Sequence, residues 1–183
     1  DTQDETVAKV CLEAGADIIN DVSALTQSAS MGAIIAEHGA GVVLMHMRGT
    51  PRTMQENTHY SDLLGEIVDF LRERVEVATQ AGIPPSRIWV DPGIGFGKSL
   101  EGNLEILRRI NEIDQLGRPV VMGVSRKSFI GKILDRDVQE RVPGTVAVTS
   151  WLASSGVKRI HRVHDVVENR DALRMIESIL EAI

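Results

Sequence analysis

Residues 87 to 98 read Arg-Ile-Trp-Val-Asp-Pro-Gly-Ile-Gly-Phe-Gly-Lys, and the fold turns on how this stretch is understood. Ile88, Trp89 and Val90 form a short apolar run without polar alternation, as a strand buried on both faces of a parallel sheet does. Asp91 ends the run. Pro92 cannot donate to a ladder, and Gly93, Gly95 and Gly97 permit tight or left-handed backbone. An acid at the carboxyl end of a buried strand, opening into a glycine loop, is placed to meet a ligand. The same residues could instead only satisfy loop amides and make a turn. Two nucleotide motifs are excluded. Counting back from Gly97-Lys98-Ser99, the first glycine of a P-loop falls on Pro92, and Lys98 stands where a dinucleotide fingerprint needs its third glycine.

Outward from this stretch, strands and helices alternate. A helix is expected over 4–14, begun by the capping-box spacing of Thr2 and Glu5, with Val7, Ala8, Cys11, Leu12 and Ala14 in period and Gly15 as its stop. Strands follow at 17–22 and 41–47, with a helix over 28–38 between them. Residues 48–61 contain Gly49 and Pro51 and have no period, so they read as a long loop on the side of Asn20 and Asp91. The clearest helix spans 62–81, with Leu63, Ile67, Phe70, Leu71, Val75 and Ala78 on one face. Further helices are expected over 100–116, with Leu104, Leu107, Ile110 and Ile113 in period, from Ser128, from Pro143 through Leu152, and over 169–183. Strands are expected at 119–124 and 158–163, and 135–141 as an exposed charged segment.

Five strand–helix repeats without a hairpin signal mean a parallel sheet. Every strand ends in polar residues, which favours a (β/α)8 TIM barrel over a doubly wound sheet. Such barrels typically take roughly 250 residues. The 183 residues are therefore expected to form one domain, 1–183, holding about five of the eight strands, with Asp1-Thr2 as the stub of a preceding strand.

The totals bound the function. A net charge of −6 argues against nucleic acid, so an anionic ligand must be held by a few local cations. The single cysteine, Cys11, rules out an internal disulfide and points to a reducing, cytoplasmic setting. No apolar run reaches the ~18 residues of a membrane span.

The strand ends bring Asp1, Asn20, Met45, Asp91, Lys127, Arg162 and His164 to one face. Carboxylates and a carboxamide can read the donor edge of a flat heterocycle, while Lys127 and Arg162 can hold an anion. Each has a plainer alternative. Asn20 and Asp21 could cap a helix, Lys127 could be solvated, and His161 and His164 point to opposite faces of a strand and so make no metal pair. Acids for a heterocycle and cations for a leaving anion suggest a transferase.

Five stretches together, 17–22 (Asp-Ile-Ile-Asn-Asp-Val), 44–51 (Leu-Met-His-Met-Arg-Gly-Thr-Pro), 91–98, 125–131 (Ser-Arg-Lys-Ser-Phe-Ile-Gly) and 162–166 (Arg-Val-His-Asp-Val), resemble the dihydropteroate synthase family. The resemblance implies a barrel that joins 6-hydroxymethyl-7,8-dihydropterin diphosphate to 4-aminobenzoate in folate synthesis, releasing diphosphate with magnesium (Mg2+) present. It implies a pterin set of Asp1, Asn20, Met45, Asp91 and Lys127. Arg162 and His164 would hold diphosphate, and Phe96 and Ser128 aminobenzoate, with Lys127, Arg162 and His164 as the catalytic group. It also implies a homodimer through the late helices, with 146–152 as one surface. An Asn-x-Thr-Pro-Asp-Ser-Phe segment of the family has no match here. An amino-terminal part carrying it, and the metal-binding residue in it, is expected to be missing, so the resemblance implies a transferase without implying activity of this chain alone. A pterin-dependent methyltransferase barrel and a non-catalytic pterin-binding module are the alternatives. Ser125 to Ser128 and the 45–49 motif speak against the first.

Overall fold

Five short strands form, each parallel to its neighbour: β1 (Ile18–Asp21), β2 (Gly41–Met45), β3 (Ile88–Asp91), β4 (Val121–Met122) and β5 (Ile160–His161). The computed structural model describes residues 1–50 and 52–182. Pro51, which closes the 44–51 motif, and Ile183, the end of the last predicted helix, lie outside the described residues. Spatial order follows the chain, and a bridge between Val90 and Val120 joins β1-β2-β3 to β4-β5. The Val90 N–H donates to the Pro119 carbonyl at 3.1 Å, and the Ile160 N–H to the Val120 carbonyl at 2.8 Å. A doubly wound sheet reverses its strand order at a switch point, and this sheet does not. It is an arc of a (β/α)8 barrel.

Helices cover the outer face: α1 (Glu5–Glu13), α2 (Met31–Glu37), α3 (Leu63–Gln80), α4 (Leu100–Arg108), α5 (Asn111–Asp114), α6 (Ser128–Leu134), α7 (Val142–Ala153) and α8 (Val166–Glu181). Alternation along the strands separates two environments. Ile19, Val42, Leu44, Ile88, Val90, Val120, Met122 and Val124 join one apolar core with Ile67, Leu71, Ile106 and Ile113 of the helices. The intervening side chains, Asn20, Val43, Met45, Trp89, Asp91 and Val121, therefore face the lumen. Register pairs His161 with Met122, which puts His161 on the helix side and Arg162 on the lumen side.

Several expected boundaries shift. Asp4, not Thr2, caps α1: its carboxylate accepts from the Thr6 and Val7 amides at 2.8 and 3.0 Å, and Glu5 reaches Ser28 and Ser30 instead. Val7 is exposed, so only Ala8 and Leu12 of the predicted stripe are buried. The helix expected over 100–116 breaks at Arg109, whose guanidinium holds Glu105 at 2.5 Å and Glu112 at 2.7 Å across the break. Within α4 Ile106 and Leu107 are buried and Leu104 is exposed, and past the break Ile110 and Ile113 stay buried. β4 and β5 keep only two residues each of the six expected, because their ladders extend no further. Among the described residues no helix is long and apolar enough to cross a membrane.

Candidate active site

The carboxyl ends of the strands carry the polar groups. Asn20 and Asp21 are adjacent, and period two sends them to opposite sides. Asp21 is buried and accepts from Ser23 N at 2.8 Å, Ser23 Oγ at 2.6 Å and Leu25 N at 2.7 Å, so it shapes its own loop. Asn20 faces the lumen, where its side-chain amide donates to the Asp1 carboxylate. Met45 is buried beside them at the end of β2.

Asp91 is the centre of the rim. One carboxylate oxygen accepts the Gly93 amide at 2.7 Å, which is the turn-making role, and no protein donor among the described residues bonds the other. Burial pushes its carboxyl group upward, opposed by Lys127, the Gly93 amide, Lys98 and Arg162. A Cβ placed on Gly123 would lie 3.5 Å from the Arg162 guanidinium and 3.8 Å from Asp91 Oδ2. Gly123 thus leaves the space across which an acid and a cation face each other.

Lys127 is half-buried rather than solvated. Its ammonium donates to the Ile94 carbonyl and sits 4.5 Å from the centre of the Phe96 ring. Burial draws it down to about 8, with Asp91 opposing that shift and Arg162 adding to it. Arg162 is exposed and reaches Asp1 at 3.4 Å, so the arc curves far enough for its two ends to meet at the mouth. His164 lies on the same lip, with Nδ1 2.8 Å from Ser125 Oγ. Ser128 begins α6 and lines a separate cavity of about 380 Å3 with Gly95, Asn103 and Lys132. Phe96, next to Gly95 in sequence, faces the ammonium of Lys127, which directly precedes Ser128.

Sequence reasoning passed over the groups that hold the glycine loop. Lys98 is buried, and its ammonium has three acceptors: His46 Nδ1 at 3.0 Å, the His46 carbonyl at 3.3 Å and the Phe96 carbonyl at 2.9 Å. Asn103 accepts the Gly95 amide at 2.6 Å and donates to the Ser99 carbonyl at 2.7 Å. The long loop predicted at 48–61 does lie on this side, where Tyr60 donates to the Gly97 carbonyl at 2.9 Å and Gln55 to Gly95 at 3.2 Å. Only the position of Lys98 inside the 87–98 stretch signalled any of this.

Gly93 shows how tightly the loop is built. It has φ +71°, and a Cβ there would lie 1.9 Å from the His46 carbonyl oxygen. Gly93→Ala is therefore expected to cost about 2–4 kcal/mol from backbone strain and overpacking, read as a lower denaturant midpoint. A midpoint equal to that of the parent would show that the β2 end yields freely.

Among the described residues no three His, Cys, Asp or Glu side chains converge as a metal site. Magnesium takes octahedral oxygen ligands, commonly one or two carboxylates with phosphates and water, so these residues do not fit a resident ion by themselves.

The rim thus gathers acceptors (Asp1, Asn20 and Asp91), cations (Lys127 and Arg162) and the apolar Met45, a set of groups suited to a flat polar ring bearing an anion. Comparison with known proteins agrees. A family model described as pterin binding enzyme matches residues 1–164. The dihydropteroate synthase of Synechocystis sp. is 46% identical over 184 residues, covering 100% of this chain and 62% of that protein. A crystal structure of Yersinia pestis dihydropteroate synthase with a sulfonamide drug complex superposes with a TM-score of 0.94 at 37% identity, over 100% of this chain and 66% of that one. Thermus thermophilus dihydropteroate synthase in complex with 6HMPPP gives a TM-score of 0.93 at 42% identity, over 98% and 71%. The same Thermus protein has been solved with 4-aminobenzoate. The chain spans less than two thirds of the length of the curated relatives it matches. On its motifs, its lumen-facing rim and the family match over most of its length, the chain belongs to the pterin-binding enzymes.

Proposed function

We propose that this chain supplies the pterin, aminobenzoate and diphosphate contacts of a dihydropteroate synthase. The observation that carries the reading is the convergence of Asp91, Asn20 and Met45 with Lys127 and Arg162 on one lumen-facing rim. In this reading the free oxygen of Asp91 and the Asn20–Asp1 pair take the donor edge of the pterin, and Met45 packs on its face. Arg162 and His164 hold the diphosphate. Phe96 and the start of α6 at Ser128 receive aminobenzoate.

The chemistry follows from charge. The pterin methylene carbon–oxygen bond breaks, and the electron pair leaves on diphosphate. The aminobenzoate nitrogen forms the new carbon–nitrogen bond and gives up a proton. Anions beside the ring and cations beside the leaving group stabilise the charge that develops. The arylamine is itself the nucleophile, so no activated serine or cysteine is required. Magnesium belongs to the proposal as a counter-ion that would arrive with the diphosphate and offset its charge.

A homodimer through the late helices is part of the same proposal, supported by the exposed apolar Trp151 on α7 and Met175, Ile179 and Leu180 on α8. Sedimentation at increasing concentration tests it, with a monomer throughout as the contrary result.

Calorimetric titration tests the principal reading. The chain should bind the pterin diphosphate with magnesium, and then 4-aminobenzoate in the presence of diphosphate. A cooperatively folded chain that binds neither would defeat the proposal.

A further inference from the structure

Two turns at the mouth are tied side by side. After β4 the chain runs Ser125-Arg126-Lys127, and after β5 it runs Arg162-Val163-His164-Asp165. Arg126, held at φ +55°, donates through Nε to Asp165 at 2.9 Å. Its backbone amide donates to Thr145 Oγ1 at 3.0 Å. Beside this ion pair, Ser125 meets His164 twice. The His164 backbone N–H donates to Ser125 Oγ at 3.1 Å, and His164 Nδ1 lies 2.8 Å from the same oxygen.

A hydroxyl has one proton and two acceptor sites. The His164 backbone amide uses one acceptor site. Ser125 is buried, and its proton has no acceptor among the described residues other than Nδ1. An unmade bond from a buried donor is costly, so the proton points at Nδ1, which must then be the unprotonated ring nitrogen. The ring hydrogen sits on Nε2. That atom has no protein partner among the described residues, and its ring lines a cavity of about 190 Å3 with Gly123, Lys127 and Arg162.

We propose that Ser125 is a positioning residue that fixes His164 as the Nε2–H tautomer, so that the ring presents a hydrogen-bond donor beside the Arg162 guanidinium to an oxygen of a phosphate-type anion. The proposal rests on the anion-binding half of the function proposed above. It adds a group that itself need not touch the ligand. Without Ser125 the ring can turn or exchange tautomers, and the Nε2–H donor is no longer held toward the anion.

The test is nitrogen NMR on the full chain with labelled histidine, in which His164→Gln identifies one of the five imidazoles. The parent should show a pyridine-type Nδ1 and a pyrrole-type Nε2 for His164, and inorganic diphosphate should move the Nε2–H signal. Ser125→Ala should average the two nitrogens and weaken inorganic diphosphate about tenfold, the loss of one well-made bond to a charged group. Ser125→Thr should restore both. A pyrrole-type Nδ1 in the parent, or a parent-like pattern in Ser125→Ala, overturns the proposal. So does an Nε2–H signal indifferent to diphosphate. Diphosphate that moves His164 in a chain failing to bind bare pterin upholds Ser125 and defeats the synthase reading alone.

Discussion

If the proposed function holds, Asp91→Asn is expected to abolish pterin binding, with a loss of at least about 100-fold in affinity and little loss of fold. The asparagine oxygen can still accept the Gly93 amide, the 2.7 Å bond that shapes the loop. The other oxygen, free of protein donors among the described residues, becomes an NH2 group, which in the proposed site would face the donor edge of the pterin. At that atom an acceptor bond from an ionised group, worth about 1.5–3 kcal/mol, is lost, and setting donor against donor leaves a buried group unsatisfied at a further cost of about 1–3 kcal/mol. At about 1.4 kcal/mol per factor of ten, that comes to about two decades or more.

The direction on stability differs. Asp91 is buried, and burial drives its carboxyl group upward despite Lys127, the Gly93 amide, Lys98 and Arg162. Removing a desolvated charge relieves that cost but leaves the cations uncompensated, so the net change in stability is small. Isothermal titration with pterin alongside denaturant unfolding separates the two. Unchanged pterin affinity would remove Asp91 from the site, and a large drop in unfolding midpoint would make it a loop residue only.

Much of this rim was legible because strand periodicity is local. Apolar runs that stop at Asn20 and Asp91, and after Met45, put each residue at a strand end, and alternation decides which face it takes. The short lengths of β4 and β5 were not legible, since they depend on ladder partners that composition does not encode. Lys98 carried no structural reading beyond its place in the glycine loop, and its acceptors include His46, 52 positions away. Gly123 was invisible for another reason. Its contribution is the absent side chain between Arg162 and Asp91, and nothing at the residue itself announces that space. Ser125 lay inside a quoted motif, but its partner His164 is 39 positions distant.

Lys98→Met flattens the alkaline limb of the stability–pH curve. Burial first, with Lys127 and Arg48 adding, draws the Lys98 ammonium from its ordinary 10.5 down to about 7, with Asp91 opposing. Between those two values the unfolded chain holds a proton that the folded chain has released, so the parent gains stability as pH rises and loses it as pH falls through about 7. From about pH 7 to about pH 9 the gain is about 2 kcal/mol, and the methionine variant lacks it. The acid limb reports the partner. His46 is lowered from 6.5 to about 3, by burial first and then by Lys98 and Arg48. Protonating it removes the acceptor that Lys98 uses at 3.0 Å and sets two cations together. Stability conferred by unprotonated His46 is therefore complete above about 6.5 and disappears as pH falls through about 3. In Lys98→Met the second cause is gone, so the acid loss becomes shallower. Urea unfolding at three pH values checks both limbs. A variant that keeps the parent's alkaline slope would mean that Lys98 stays protonated in the fold. The three acceptors around its ammonium, His46 Nδ1, the His46 carbonyl and the Phe96 carbonyl, would then outweigh the cost of burying the charge.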